Sequence, residues 1–397
     1  MKKEILFLAE ELEINGAVTS LLALLKALPA DKYEISLFLF LHGGNMMKQI
    51  PLHVKLLPEC LPYAIHRMPR RLAYKRALKS FRFDLLLYRF VEAIRRAKGL
   101  DYNLWGFLPM VSGNYDMACC YNDGFVAPMM LRKVNAKKKC AWIHSRYSNW
   151  SQMPCVYEAL HRVDMCVPVS IDTGKDLDNV LGTKLPKQIV HNITDAETCR
   201  IRANEVCEVP RNDGIFRIVS VGRVSYEKFF DIIPPTAHIL DGRGIKYEWF
   251  IIGNGDKFEE LLRQTKNEHL DDHVLFIGSR SNPMPWIKSA DVFVNPSRFE
   301  AWGMTVSEAL CLGKAVVVSD IPVFQEQIAD GENGLIRKVT PENIADAIEL
   351  LLKDDSYRHK LEQNAVKYPF TKEVVIKEFD DLVQKLGIKK NEDSFRN

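Results

Sequence analysis

The chain has 397 residues, 47% of them hydrophobic and 26% charged, with a formal net charge of +3. That length exceeds one ordinary core and predicts two domains, and the composition is that of a globular chain, not a disordered one. The small net charge argues against nucleic acid as a partner.

In chain order, MKKEILFLAEELEING opens with a short apolar run soon followed by Glu10, Glu11 and Glu13. It reads as a first strand, EILFLAE (4–10), and not as a signal peptide. SLLALLKAL (20–28) follows as an amphipathic helix, and YEISLFLFL (33–41), DMACCYN (116–122), KCAWIHS (139–145) and DMCVPVS (164–170) read as further strands. Nine cysteines are scattered without a C-x-x-C pair or a zinc-like Cys/His spacing, which predicts reduced thiols in a cytosolic protein. No apolar run approaches the ~18 residues of a membrane-spanning helix.

Between these strands, Tyr63 to Leu100 carries Arg67, Arg70, Arg71, Lys75, Arg76, Lys79, Arg82, Arg89, Arg95, Arg96 and Lys98 against only Asp84 and Glu92. One reading is a basic, solvated helical face. The other is a patch for anionic lipid headgroups or a lipid-diphosphate acceptor. The one D-x-D, Asp176-Leu-Asp178, lies in the helical pattern DTGKDLDNVL and reads as a solvated face, not a metal site.

A mixed stretch, about Leu185 to Asp213, precedes a clearer second half. There FRIVSVG (216–222), YEWFIIG (247–253), VLFIG (274–278), DVFVNPS (291–297) and AVVVSD (315–320) alternate with helical segments. Near-continuous apolar strands separated by helices describe a parallel sheet covered on both faces. The expected domains are 1–190 and 191–370, with a helical tail over 371–397 packing back on the first. Two doubly wound α/β domains facing across a cleft would bind ligands where their strands end.

The polar residues at those ends carry the chemistry. Thr305-Val-Ser-Glu308 fits a capping box, with Thr305 as N-cap. Alternatively, a helix starting at Gly303–Thr305 presents free N–H groups to a phosphate, with Glu300 ahead of it and Glu308 in its first turn accepting from sugar hydroxyls. VGRVSYEK places Arg223 and Lys228 after another strand, as a solvated pair or as cations for a diphosphate.

RFEAWGMTVSEAL resembles the E-x7-E motif of the retaining GT-B glycosyltransferases, specifically family 4, and GRVSYEK resembles that family's G-R-x-x-x-x-K segment. The likeness extends over most of 215–370, including DIPVFQEQIADGENGL. It implies that Glu300 contacts the transferred sugar and Glu308 the ribose. Arg223 and Lys228, with the amides of Met304 and Thr305, would grip the diphosphate, and Gly278, Ser279 and Arg280 would lie near the base. In the first half Gly16 stands in the place of the family's glycine-rich turn, His144 matches a histidine near the sugar, and Asn192 is a candidate cleft residue. As a lone residue, His144 also reads as an ordinary core or edge histidine. Phe229 and Ala301 occupy positions where the family commonly has glycine.

The resemblance implies a GT-B enzyme that moves a hexose from a nucleotide-sugar, a UDP-sugar first among them, to a glycan or lipid-linked acceptor in surface-polysaccharide synthesis. It implies no metal or other cofactor, and a cytoplasmic location peripheral to the membrane. The alternatives are a nucleotide-sugar epimerase of the same fold and a non-catalytic nucleotide-sugar-binding subunit; a phosphorylase lacks a convincing pyridoxal-phosphate lysine motif.

Overall fold

The computed structural model describes residues 2–98, 108–149, 153–207, 209–212, 214–368 and 370–388. The last two residues of the basic segment, 99–100, and the end of the tail, 389–397, lie outside them. The described parts of 1–169, 173–191 and 375–397 form one compact unit, and those of 170–172 and 192–374 form a second.

The first unit contains β1 (Lys3–Ala9), α1 (Gly16–Ala27), β2 (Tyr33–Leu39), β3 (Lys55–Leu56), α2 (Leu61–Arg67), α3 (Arg70–Lys79) and α4 (Phe83–Ala97). It continues with β4 (Tyr115–Cys120), α5 (Val126–Lys133), β5 (Ala136–Ile143), α6 (Pro154–Leu160), β6 (Met165–Pro168) and all but the start of α7 (Ile171–Leu181). Its strands lie in the order β3-β2-β1-β4-β5-β6, every pair parallel. The apolar runs seen in the sequence become these strands because both sheet faces are covered: from Ile5 to Ala9 every residue of β1 is buried.

The second unit contains α8 (Ala196–Arg202), β7 (Phe216–Val221), α9 (Ile233–Gly242), β8 (Tyr247–Ile252), α10 (Phe258–Asn267), β9 (Val274–Gly278), α11 (Met284–Ser289) and β10 (Val292–Asn295). It then runs through α12 (Met304–Cys311), β11 (Ala315–Ser319), α13 (Pro322–Gln327), β12 (Leu335–Arg337), α14 (Pro341–Lys353) and α15 (Asp355–Ala365). The order is β12-β11-β10-β7-β8-β9, again all parallel. Ile218, Trp249, Ile251, Val292, Val294 and Val317 fill its core.

The last element among the described residues is α16 (Lys372–Lys385), whose residues from Val375 onward belong to the first unit. Phe379 stacks on Phe7 at 6.1 Å and meets Tyr33 edge-on at 5.5 Å. Glu378 accepts from the His191 amide at 2.9 Å, and Asp380 pairs with Lys32 at 2.7 Å.

Several features depart from the sequence reading. The edge strands β3 and β12 have two and three residues, too short to show periodicity. The stretch 185–213 holds a helix, α8, whose N-cap Asp195 accepts from the Thr198 amide at 3.0 Å. Asp176 is not on a solvated face: it is 4% exposed and accepts from the Ser148 amide at 3.1 Å and from Arg146 at 3.3 Å. Asp178 pairs with Lys187. All nine cysteines are unbridged.

Candidate functional site

In each sheet the first strand is central, and the chain builds outward on one side before crossing to the other. In the second unit the reversal falls between β7 and β10, where Val292 pairs with Ile218. Loops that leave adjacent parallel strands at their carboxyl ends must diverge there, which opens a crevice. The loop after β7 carries Arg223 and Lys228; the loop after β10 carries Glu300 and leads into α12.

Two glycines fix the first loop. A Cβ on Gly253 would lie 1.8 Å from the Gly222 carbonyl oxygen, and one on Gly255 would lie 2.1 Å from that of Val224. Only bare backbone permits that approach, and it lets the Val224 amide donate to Asn254 at 3.1 Å. Arg223 is left exposed. Phe229, in a position where the family commonly has glycine, adopts φ 52°. The Arg298 guanidinium lies over its ring, 3.5 Å from the centroid, and 4.4 Å from that of Tyr226. The Arg298 amide also donates to the Glu227 carbonyl at 2.8 Å, so the two loops are stapled together.

Beneath this staple Lys228 forms an ion pair with Glu300. The same Glu300 oxygen accepts from the Ser297 hydroxyl at 2.9 Å. Ser297 is held in turn by Asn295, whose side chain accepts its amide at 3.1 Å and its hydroxyl at 2.6 Å. One carboxylate, one ammonium and one hydroxyl thus converge where β7 and β10 end.

The helix that follows begins differently from a capping box. Its N-cap is Gly303, at φ 86°, with no side-chain cap; Thr305 is already helical and Glu308 lies past the first turn. A Cβ at Gly303 would come 2.7 Å from the Phe324 ring, so glycine is required twice, for the backbone angle and for the space. The first intrahelical bonds run from Val306 and Ser307 to the Gly303 carbonyl. The amides of Met304 and Thr305 precede them and cannot be satisfied within the helix. The Thr305 hydroxyl is buried with no hydrogen-bond partner.

Glu308 is only 8% exposed, and burial pushes its carboxyl up to about 7, with the Arg202 cation pulling the other way. A buried carboxylate without a close counter-ion is destabilising unless hydroxyls or amides are brought to it.

Behind the helix start lies a buried network. The Gln327 side-chain amide donates to the Trp302 carbonyl, and its oxygen accepts from Ser307 at 3.1 Å and Tyr368 at 3.3 Å. Gln327 and Ser297 were not singled out in the sequence. The Asn-Pro-Ser ahead of Glu300 is a signal that could have found Ser297; Gln327 acts across 25 residues and leaves no local pattern.

The remaining residues are more dispersed. Gly278 ends β9 at φ 73°, two strands from β7, and Arg280 donates back to the Ile277 carbonyl at 2.5 Å. Asn192, in the second unit, is 4% exposed. In the first unit the reversal lies between β1 and β4. Gly16 is the first residue of α1, with Asn15 as cap accepting from Val18 at 3.0 Å. His144 follows β5; its amide donates to Asp123 at 3.3 Å and its ring lies 4.6 Å from Tyr121. Both ring nitrogens are buried without partners, and burial pushes the imidazole down to about 3. Burial likewise pushes Asp123 up to about 7. Among the described residues no group of three or more His, Cys, Asp or Glu side chains is placed to hold a metal ion.

Comparison with known proteins follows the same division. Residues 204–368 match the family model described as Glycosyl transferases group 1. An alpha-D-kanosaminyltransferase from Streptomyces kanamyceticus is 29% identical over 201 residues, 48% of this chain and 52% of that protein. The O-antigen biosynthesis glycosyltransferase WclY of Escherichia coli is 30% identical over 145 residues, 35% of this chain and 39% of WclY. The chain thus spans about half, or less, of the length of these relatives. Among solved structures, Anabaena HepE in complex with UDP and glucose superposes with a TM-score of 0.70 at 16% identity, covering 96% of this chain and 99% of HepE. The fold is that of the GT-B glycosyltransferases.

Proposed function

We propose that the protein is a retaining glycosyltransferase that moves a hexose from a UDP-sugar to a hydroxyl of a glycan or lipid-linked acceptor in the synthesis of a surface polysaccharide. The observation that carries this reading is the meeting of the Lys228–Glu300 pair with the open first turn of α12, at the reversal of the second sheet. A diphosphate fits the unsatisfied amides of Met304 and Thr305, and Arg223 and Lys228 supply the charge to neutralise it. These groups stabilise the diphosphate most as it departs and its charge grows, which accelerates bond cleavage and does not merely tighten binding.

Glu300, held by Ser297 and Lys228, takes the hydroxyls of the transferred sugar, and the buried Glu308 takes those of the ribose. The loop Gly278-Ser279-Arg280 lies toward the base. By the resemblance His144 and Gly16 of the first unit, and Asn192 of the second, serve the sugar and acceptor; the His144 ring, kept neutral by burial, offers a nitrogen to a hydroxyl. Both glutamates are used in binding, so attack comes from the face the diphosphate leaves, and its oxygen accepts the acceptor's proton. The reaction needs no metal. The relatives' printed functions and the UDP-bound fold neighbours support donor and pathway class, and the basic segment 63–100 supports work at the cytoplasmic face of an anionic membrane.

The test is to incubate the protein in chelator with UDP-, GDP- and ADP-sugars, with and without bacterial lipid extract, and to follow free nucleotide by mass spectrometry. Lipid-stimulated release of UDP is expected, falling about 10²-fold or more in Lys228→Ala. An isomerised donor without release would make the protein an epimerase. Binding without turnover of any donor would make it a binding subunit.

A further inference from the structure

The basic segment folds as α2, α3 and α4, and its exposed face is not simply basic. Arg89 and Glu92 are buried against each other, Arg89 also donating to the Met68 carbonyl at 3.1 Å. Apolar side chains are turned out instead: Phe83 is 64% exposed, Leu87 55% and Phe90 57%. With Ile94 they form one stripe of α4 at helical spacing, ended by the exposed Lys98. Between α3 and α4 runs a groove of about 550 Å³, lined by Tyr74, Leu78, Phe83, Leu86, Leu87 and Phe90.

The turn between the two helices is more telling. The Arg82 amide donates to the Ala77 carbonyl at 3.0 Å, closing the end of α3 around a residue in the left-handed region, a place that normally takes glycine. Here it is Phe81, at φ 54° and 82% exposed. An aromatic side chain there is strained and gains no packing. Its 82% exposure leaves little of the ring to packing within the fold.

We propose that the α3–α4 hairpin is a wedge that enters the acyl region of an anionic lipid leaflet, with Phe81, Phe83, Leu87 and Phe90 among the chains. Exposed Lys75 and Arg71 lie one and two turns back from Leu78 along α3, and Lys79 beside it, at the level of the phosphates. The charge pattern selects this occupant over a second copy of the chain, whose hairpin would bring like cations together. This deepens the membrane part of the proposed function, and is independent of the sugar chemistry.

The test uses the full chain with vesicles of phosphatidylglycerol and phosphatidylcholine. Flotation is expected to show binding that partly survives about 0.5 M salt. In Phe90→Trp, acyl-brominated lipid is expected to quench the added tryptophan relative to the parent. Phe81→Gly is expected to melt no lower than wild type, because it relieves the strained angle, yet to bind vesicles at least tenfold more weakly. Binding that vanishes in salt without acyl quenching would overturn the wedge and leave an electrostatic attachment. No vesicle binding, or a dimer that Leu87→Glu disrupts, would overturn membrane attachment altogether. UDP release from a donor with soluble acceptor, measured on Phe81→Gly, separates these outcomes from failure of the transferase reading, which alone would abolish release in both proteins.

Discussion

Glu308→Gln isolates the ionisation of the one fully enclosed carboxyl at the candidate donor site. Burial moves the Glu308 carboxyl from its ordinary 4.5 to about 7. At about 1.4 kcal/mol per tenfold, that difference makes ionised Glu308 cost the empty protein roughly 3 kcal/mol. The sign follows from the direction. A carboxyl raised by folding imposes no penalty below pH 4.5, loses stability progressively as the pH rises toward 7, and stays at full penalty above it. Glutamine carries no such charge. The variant should therefore match wild type near pH 4 and be more stable by roughly 3 kcal/mol at pH 8, or roughly 6–12 °C in the melting of a domain this size. Binding should respond oppositely. Ribose hydroxyls that donate to the carboxylate favour its ionised form, so at pH 6.5 UDP binding should release about 0.7 proton more from wild type than from the variant, which binds UDP more weakly and releases only what the UDP phosphate itself loses. Calorimetry in two buffers of different protonation enthalpy reads that difference directly. A stability gap that does not change with pH, or equal proton release from the two proteins, would refute the assignment of Glu308 to the ribose.

Two other substitutions separate positioning from chemistry. Gln327→Leu removes the donor to the Trp302 carbonyl and the acceptor for Ser307 and Tyr368. It should cost about 1–3 kcal/mol in urea unfolding and weaken UDP binding, although Gln327 is 1% exposed and lies behind the helix start. Unchanged UDP affinity in a destabilised variant would confine Gln327 to the core. His144→Phe keeps the contact with Tyr121 and deletes two buried, unpartnered nitrogens. Stability should hold or rise by about 1 kcal/mol while sugar transfer falls at least about tenfold, as measured by paired melting and turnover assays; full activity would return His144 to an ordinary core role.

The fold was legible because both sheets are parallel and buried on both faces. β1, β7, β10 and β11 read as mainly apolar runs between helices, since a strand covered above and below takes mostly apolar residues; buried exceptions such as Arg217 and Ser220 are hydrogen-bonded. What escaped were elements defined by partners: β12, with three residues, exists because Val317 and Val318 offer it an edge. The basic segment was legible only in part for a related reason. Counting charges between Tyr63 and Leu100 cannot tell that Arg89 turns inward to Glu92 while Phe90 turns outward, because the inward face of α4 is set by packing around Leu85 and Tyr88 and not by hydrophobicity alone.

The candidate site shows the same division between what is local and what is assembled. Arg223, Lys228, Glu300 and Glu308 were visible in the sequence as types and spacings near strand ends, the set that the proposed diphosphate flanked by hydroxyls would call for. Their relation was not. Lys228 and Glu300 meet across 72 residues because β10 returns to pair with β7 after β8 and β9 have been laid down on the other side. A further consequence concerns Phe229. Its φ of 52° is the value for which glycine is usual, and the Arg298 guanidinium over its ring ties that residue to the loop bearing Glu300. The side chain that strains the backbone of one loop is thus also one through which the other loop is held. Relaxing the angle with glycine would remove one of the contacts to Arg298 and leave the loops joined by the Arg298–Glu227 backbone bond, the Arg298–Tyr226 contact and the Lys228–Glu300 pair.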